Sequence, residues 1–267
     1  MKRQIVSIVC AVWVAGLLVG CGGGFGPGRV GPKPPVGPQG DVGPSSSDFP
    51  EGSIVIERSG VLVTEEYSLT DFSRLEIAFF DAEIRQGDGY SVVLEMDENV
   101  LDHVQVASTG ETLRIGLDPS ESYRMDDIHM RAEIIMPALT GLSMDLVDDA
   151  AVGGFQSDDD LMIDLSKSSL RGEVRAGSIE ITAEVGCTVD LGGSAANVTV
   201  EAAVDCTVDL SELECDDATV TARVNSEVIV RPAGRLDAEA SASKVRYIGD
   251  PTLGQIKSEL GGSVDRQ

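Results

Sequence analysis

Residues 187–210 read CTVDLGGSAANVTVEAAVDCTVDL, and the pentapeptide at Cys187–Leu191 returns unchanged at Cys206–Leu210. Related triplets flank this pair: Ala150-Ala151-Val152, Ser168-Ser169-Leu170, Ser226-Glu227-Val228 and Ser243-Lys244-Val245. The six triplet starts lie 18, 19, 19, 20 and 17 residues apart. Each triplet opens on a small residue and closes on an aliphatic one. Between them a second short apolar run recurs: Leu161-Met162-Ile163, Ile179-Glu180-Ile181, Val198-Thr199-Val200, Ala218-Thr219-Val220 and Leu236-Asp237-Ala238. Two short strands per ~19 residues is the repeat of a thin β-solenoid, in which one coil cannot bury its own apolar face and coils must stack. Stacking sets equivalent residues in ladders ~4.8 Å apart. An antiparallel sandwich competes as a fold but does not account for the recurrent spacing.

This reading makes definite demands. Ala150, Ser168, Cys187, Cys206, Ser226 and Ser243 are expected in one inward column, where only small side chains fit. Val152, Leu170, Val189, Val208, Val228 and Val245 are expected in a parallel column. Asp190, Asp209 and Glu180 are expected to point outward. The ends of a solenoid need covers, and the residues after Tyr247, with Gly249, Pro251 and Gly261-Gly262, are expected to close the C-terminal end.

Upstream, residues 52–140 hold short aliphatic runs at Ser53–Ile56, Leu75–Phe79, Tyr90–Met96, His103–Val106, Leu113–Ile115 and Ile128–Met136. Several alternate apolar and polar, as half-buried strands do. Turn signals separate them at Gln86–Gly89, Ser108–Gly110 and Pro119-Ser120. Only Glu98–Asp102 suits a helical turn. The domain reads as all-β.

The N-terminus reads as an address. Residues 1–21 are MKRQIVSIVCAVWVAGLLVGC. Lys2 and Arg3 precede an apolar stretch too short to span a bilayer comfortably, the pattern of a signal peptide. The closing Leu18-Val19-Gly20-Cys21 resembles the bacterial lipobox. That resemblance implies cleavage before Cys21 and palmitate-like acyl chains anchoring Cys21 to a membrane, since several chains hold where one is marginal. Gly22 follows rather than Asp, which by the same analogy disfavours inner-membrane retention. Residues 22–50 then hold 9 Gly and 7 Pro in 29 positions, a composition that cannot bury a core. Fully extended at ~3.1 Å per residue, this tether reaches roughly 90 Å. The expected organisation is a signal peptide at 1–20, a lipidated cysteine and tether at 21–51, and a β-solenoid at 52–267.

The chain is acidic, with 20 Lys and Arg against 45 Asp and Glu in 267 residues and a formal net charge of -25. Nucleic acid is excluded as a partner, because neutralising phosphates needs a basic patch. Two histidines and 4% aromatic residues leave little material for histidine-based catalysis.

An ordered succession of segments carries a family resemblance: Phe72–Ile77, Ile84–Val92, Asp97–Val104, Glu111–Ile115, Met136–Leu139 and Tyr247–Pro251. Over roughly residues 65–265 the chain resembles the auto-transporter adhesin, head GIN domain family. The resemblance implies a right-handed parallel β-helix-like domain, often on lipid-anchored or surface proteins, and no enzyme activity. One departure stands out. Met144–Asp149 occupies the place where the family often carries a Gly-Ser-Gly type segment.

Candidate chemistry is sparse. Cys187, Cys206 and Cys215 remain once Cys10 and Cys21 are set aside, and three thiols cannot all pair within one chain. Cys187 and Cys206 fall one coil apart, either as a disulfide or as buried thiols packed like small hydrophobes. No metal site or cofactor is assigned. Asp158-Asp159-Asp160 offers the oxygen donors that Ca²⁺ prefers, but it reads first as a solvated acidic loop. Asp164, Lys167, Arg171 and Arg175 are the residues a polysaccharide-cleaving β-helix would use. Such enzymes wall a cleft with long loops, and this coil spacing leaves little room for them. No catalytic residue is assigned. The expected protein is a lipid-anchored, extracytoplasmic β-solenoid at the outer membrane or cell surface. It would bind surface polysaccharide or protein through a flat acidic face. An envelope structural or stress-linked module is the alternative, and a polysaccharide-active enzyme a more distant one.

Overall fold

The computed structural model describes residues 53–267. The signal peptide, Cys21 and the tether lie outside the described residues. The first part contains β1 (Ile54–Glu57), β2 (Leu62–Tyr67), β3 (Arg74–Ala78), β4 (Asp81–Gln86) and β5 (Ser91–Asp97). A 3₁₀ turn at Glu98–His103 follows, where a helical turn was expected. Then come β6 (Val104–Thr109), β7 (Thr112–Leu117), β8 (Tyr123–Asp126) and β9 (Met130–Met136). The repeat region contains β10 (Gly141–Asp145), β11 (Ala150–Gln156), β12 (Leu161–Ser166), and four long strands, β13 (Ser169–Val185), β14 (Thr188–Val204), β15 (Thr207–Arg223) and β16 (Glu227–Ser241). It ends on β17 (Lys244–Tyr247), β18 (Thr252–Glu259) and β19 (Ser263–Arg266).

The chain winds as a β-solenoid of about 7 turns with coils of ~19 residues. Each long strand bends at a corner and serves two walls. One wall runs β7, β3, β10, β12, the second halves of β13 to β16, then β18. The other runs β9, β4, β11, the first halves of β13 to β16, then β17 and β19. All of these pairings are parallel. The expected ladders are present: Leu170, Val189, Val208, Val228 and Val245 are successive partners, and so are Leu161, Ile179, Val198, Ala218 and Leu236. All are buried.

The small-residue column forms the second corner. Lys167, Gly186, Asp205, Asn225 and Ala242 each take positive φ, and the next residue, Ser168, Cys187, Cys206, Ser226 or Ser243, turns inward and is buried. Size is half of the reason for a small residue there; hydrogen bonding is the other half. The Ser168 hydroxyl donates to the Ser166 carbonyl (2.8 Å), the Cys206 thiol to Val204 (3.2 Å) and the Ser243 hydroxyl to Ser241 (3.1 Å). The Ser226 and Ser243 oxygens also accept from the backbone N–H of Cys206 and Ser226, the residues one coil earlier (3.2 Å each). A buried backbone group without a partner is costly, and this column supplies the partners where the sheet ladder breaks.

The first expected coil is out of phase. Ala150 pairs with Leu170 rather than standing over Ser168, and Val152 pairs with Gly172 rather than Leu170. Val147 takes the small-residue position, its N–H donating to the Ser168 hydroxyl at 3.2 Å. The small-residue position is filled here by the larger Val147, so the small-to-aliphatic pattern reappears only three residues later, at Ala150-Ala151-Val152 on the wall. Asp148 and Asp149, both exposed, lie between Val147 and Ala150 where one residue separates Ser168 from Leu170, and the Asp149 N–H is held by an Asp81 carboxylate oxygen at 2.9 Å.

The N-terminal part is a cap rather than plain coils. β5 lies antiparallel between β2 and β9, and β6 antiparallel to β7, while β1 and β8 form a separate parallel pair. Asp97, fully buried at the end of β5, pins this cap. It accepts from the Gly60 N–H (3.0 Å), the Ser59 hydroxyl (3.1 Å) and the His129 N–H (2.9 Å). At the other end the expected closure is absent. The residues after Tyr247 form one more coil, with β18 parallel to β16 and β19 parallel to β17. Gly249 and Pro251 fall between β17 and β18 and Gly261-Gly262 between β18 and β19, while Leu253 and Val264 continue the apolar ladders, with a register shift between Leu253 and Ile256. Among the described residues no helix is long and apolar enough to cross a membrane.

Candidate binding surface

Residues that alternate with the core ladders form outward ladders of polar and charged side chains. Asp164, Thr182, Glu201, Thr221, Glu239 and Lys257 succeed one another across the first wall. On the other wall Thr188, Thr207, Glu227 and Lys244 do the same. Glu180 and Asp190 point outward as expected; Asp209 is half-buried, with a carboxylate oxygen accepting from the Ser211 N–H at 2.9 Å. Charge is unevenly spread. Residues 187–224 hold eight acids and one base, Arg223, whereas residues 225–267 hold six of each. Acids in the last coils are therefore paired: Asp237 with Arg235 (2.6 Å), Glu239 with Lys257 (3.1 Å) and Glu227 with Arg246 (2.9 Å). Arg235 and a hydrogen bond from the Gln255 N–H hold the Asp237 carboxyl down at about 2.

Among the described residues, two of the concavities in the walls bring charged side chains together. An open notch of about 540 Å³ lies at a corner, lined by Ala195, Glu214, Cys215, Arg231, Pro232 and Ile248 among others. It exists because corner lengths differ between coils, which shows as register shifts between β14, β15 and β16. A second, of about 340 Å³, lies on the outer face of β5 and β9 and includes Glu95, His129, Arg131 and Glu133. There His129 Nε2 lies 2.9 Å from Glu95, and Arg131 reaches Glu83 at 2.7 Å. That hydrogen bond is the main reason the Glu83 carboxyl sits below its ordinary range.

Cys187, Cys206 and Cys215 are free and buried. Cys187 and Cys206 lie in neighbouring coils, as the Thr188–Thr207 pairing requires, yet they form no disulfide. Burial pushes the Cys187 thiol up. In the notch, burial and then Asp216 and Asp217 push Cys215 up to about 12, which removes the thiolate a nucleophile needs.

The remaining candidates do not converge. Asp164 lies on the first wall, while Arg171 and Arg175 lie on the other and are engaged by Asp149 (2.8 Å) and Asp158 (3.0 Å). Lys167 sits at the corner between them. Asp158, Asp159 and Asp160 lie in the loop between β11 and β12, with Asp159 bound to the Ser157 hydroxyl at 2.8 Å. Among the described residues no group of three or more His, Cys, Asp or Glu side chains is placed to hold a metal ion. The notch and the His129 cluster were not anticipated from sequence, since the notch depends on which corners are longer and the His129 cluster on the antiparallel pairing of β5 with β9, neither of which local patterning encodes.

Comparison with known proteins fits this geometry. The chain superposes on a putative adhesin from Bacteroides fragilis with a TM-score of 0.70 at 18% identity, over 79% of this chain and 100% of the other. It superposes on a putative lipid binding protein from Parabacteroides distasonis with a TM-score of 0.63 at 15% identity, over 80% and 100%. A second Parabacteroides distasonis protein, a putative adhesin, gives 0.56 at 13% identity, over 80% and 100%. At these identities the likeness is one of fold. No curated protein matches the chain. The family model described as "Putative auto-transporter adhesin, head GIN domain" matches residues 71–251, more than half of the chain, and the chain belongs to that family.

Proposed function

We propose that this protein is a non-enzymatic binding module of the cell envelope. In this reading acyl chains on Cys21 anchor it, the Gly/Pro tether projects it, and the solenoid contacts surface polysaccharide or protein. The observation that carries the reading is the pair of walls bearing outward polar and charged side chains in register across successive coils. A repeated surface binds a repeated polymer by many weak contacts, and avidity multiplies them. The residues a polysaccharide-cleaving β-helix would use are split between two walls, which speaks against a reaction centre. Two acidic surfaces approach only with cations between them, so retention on an anionic polymer is expected to need divalent ions. Asp158, Asp159 and Asp160 form the first loop to test for that bridging.

The test is retention of the purified protein on its own envelope polymers, with and without chelator, alongside an assay for released reducing sugar. Saturable retention without sugar release supports the proposal. Sugar release, or an absence of any saturable retention, overturns it.

A further inference from the structure

The inward corner column holds two thiols among serines, and they are consecutive. Ser168, Cys187, Cys206, Ser226 and Ser243 are all buried there, each cysteine at 1% exposure. Thr188 and Thr207, the next residues, are ladder partners, so the two cysteines lie one layer apart. That spacing of about 4.8 Å falls within the roughly 4.4–6.8 Å between Cα atoms that a disulfide spans. The side chains point the same way. The Cys187 thiol donates to the Leu165 and Val185 carbonyls (3.3 and 3.4 Å), and the Cys206 thiol to those of Ala183 and Val204 (3.4 and 3.2 Å). Ala183 and Val204 are the ladder partners of Leu165 and Val185, so each sulfur repeats the other's contacts one coil on. The Cys206 thiol also lies within hydrogen-bonding reach of the Cys187 thiol. A turn about one Cα–Cβ bond brings the sulfurs together and gives up only weak thiol hydrogen bonds. The third thiol does not compete: Cys215 lies in the notch, and its ladder neighbours are Ala195 and Pro232.

We infer that outside the cytoplasm Cys187 and Cys206 are joined by a disulfide that staples one coil to the next. The structure shows the dithiol form. The inference rests on the extracytoplasmic placement proposed above, where disulfides form and persist; it does not depend on what the walls bind. The oxidant is a disulfide donor. The Cys187 thiolate attacks one of the donor's sulfurs and expels the other as a thiolate. The Cys206 thiolate then attacks the Cys187 sulfur of that mixed disulfide and expels the second thiolate. Two thiols are oxidised, one donor disulfide is reduced, and the two protons pass to the departing thiolates. Burial withholds the thiolate in the closed coil, so the exchange takes place during folding, before the corner closes. Closure over the bond then shields it from reductant.

The test is a disulfide map of the full-length chain from fractionated cells, unfolded without reductant in iodoacetamide and cut before aspartate. Cleavage at Asp164, Asp190, Asp205, Asp209 and Asp216 places the three cysteines on separate fragments, 164–189, 205–208 and 209–215. The expected result is fragments 164–189 and 205–208 as one species, two hydrogens lighter than their sum, with Cys215 alkylated. Reductant is expected to separate them and to lower the denaturant midpoint of the native chain. It is expected to leave the midpoint of Cys206→Ser unmoved, a variant the column accommodates as it does its own serines. Alkylation of Cys187 and Cys206 in the envelope-bound chain overturns the inference and leaves the placement standing. A chain confined to the cytosol overturns the placement and this inference with it. A bond from either cysteine to Cys215, or an equal midpoint shift in the variant, also overturns it.

Discussion

Ser226 shows how much one side chain holds together. Its oxygen accepts from the Cys206 N–H, and Ser226→Ala leaves that buried donor alone. The expected loss is about 1–3 kcal/mol, read as a lower denaturant midpoint with an unchanged slope. Ser226→Cys keeps a small acceptor and is expected to recover part of it, as the column already holds both serine and cysteine. Asp97 is the second sensitive residue. Burial by itself raises a carboxyl pKa, but the hydrogen bonds from His129, Gly60 and Ser59 outweigh it and hold Asp97 below its ordinary value. The folded state therefore binds this proton less readily than the unfolded chain. Its stabilisation is complete above the unfolded value near pH ~4 and is lost as pH falls through the lower folded value. Thermal melting across that window is expected to show an acid-dependent loss in the native chain and a smaller one in Asp97→Asn. The small column was legible in sequence from Ser168 onward because one position demands one size in every coil. Ala150 misled because it matches the pattern locally, while the larger Val147 holds the small-residue position three residues earlier.

At the scale of elements, the corners constrain sequence more tightly than the walls. Gly172 and Gly193 have φ of 150° and 114°, and a Cβ at either would lie 1.8 Å and 2.0 Å from the carbonyl oxygens of Val152 and Val174. No side-chain movement relieves a clash with backbone in the coil before. Gly193→Ala is expected to cost about 3 kcal/mol or more and to open β13 and β14 locally, measured as lost amide-exchange protection in both strands. The wall strands were readable because stacking imposes the same apolar position every coil. β2, β4, β8 and β10 were not, since they are short and their pairing partners are distant in sequence. The antiparallel order of β2, β5 and β9 was hidden for a different reason. Parallel and antiparallel strands share the same two-residue alternation, so pattern alone cannot tell a cap from a coil.

For the whole molecule, period and charge divide the work. The ~19-residue repeat fixes a solenoid with an aliphatic interior and two laddered walls, and the acidity favours hydration of those walls. Family and fold were legible in sequence because they rest on the repeat and on an ordered succession of segments. The C-terminal cover was not, because an additional coil uses the same glycine and proline corners as a cover does. Binding along the walls requires outward residues to recur one layer apart. The most direct measurement is dipolar broadening between nitroxides at exposed Thr188→Cys and Thr207→Cys, compared with Thr188→Cys and Lys244→Cys. Stacked coils put the first pair about 4.8 Å apart along the ladder and the second about 14 Å apart. The account predicts strong broadening in the first pair and much weaker broadening in the second; equal broadening, or none in the first pair, contradicts it.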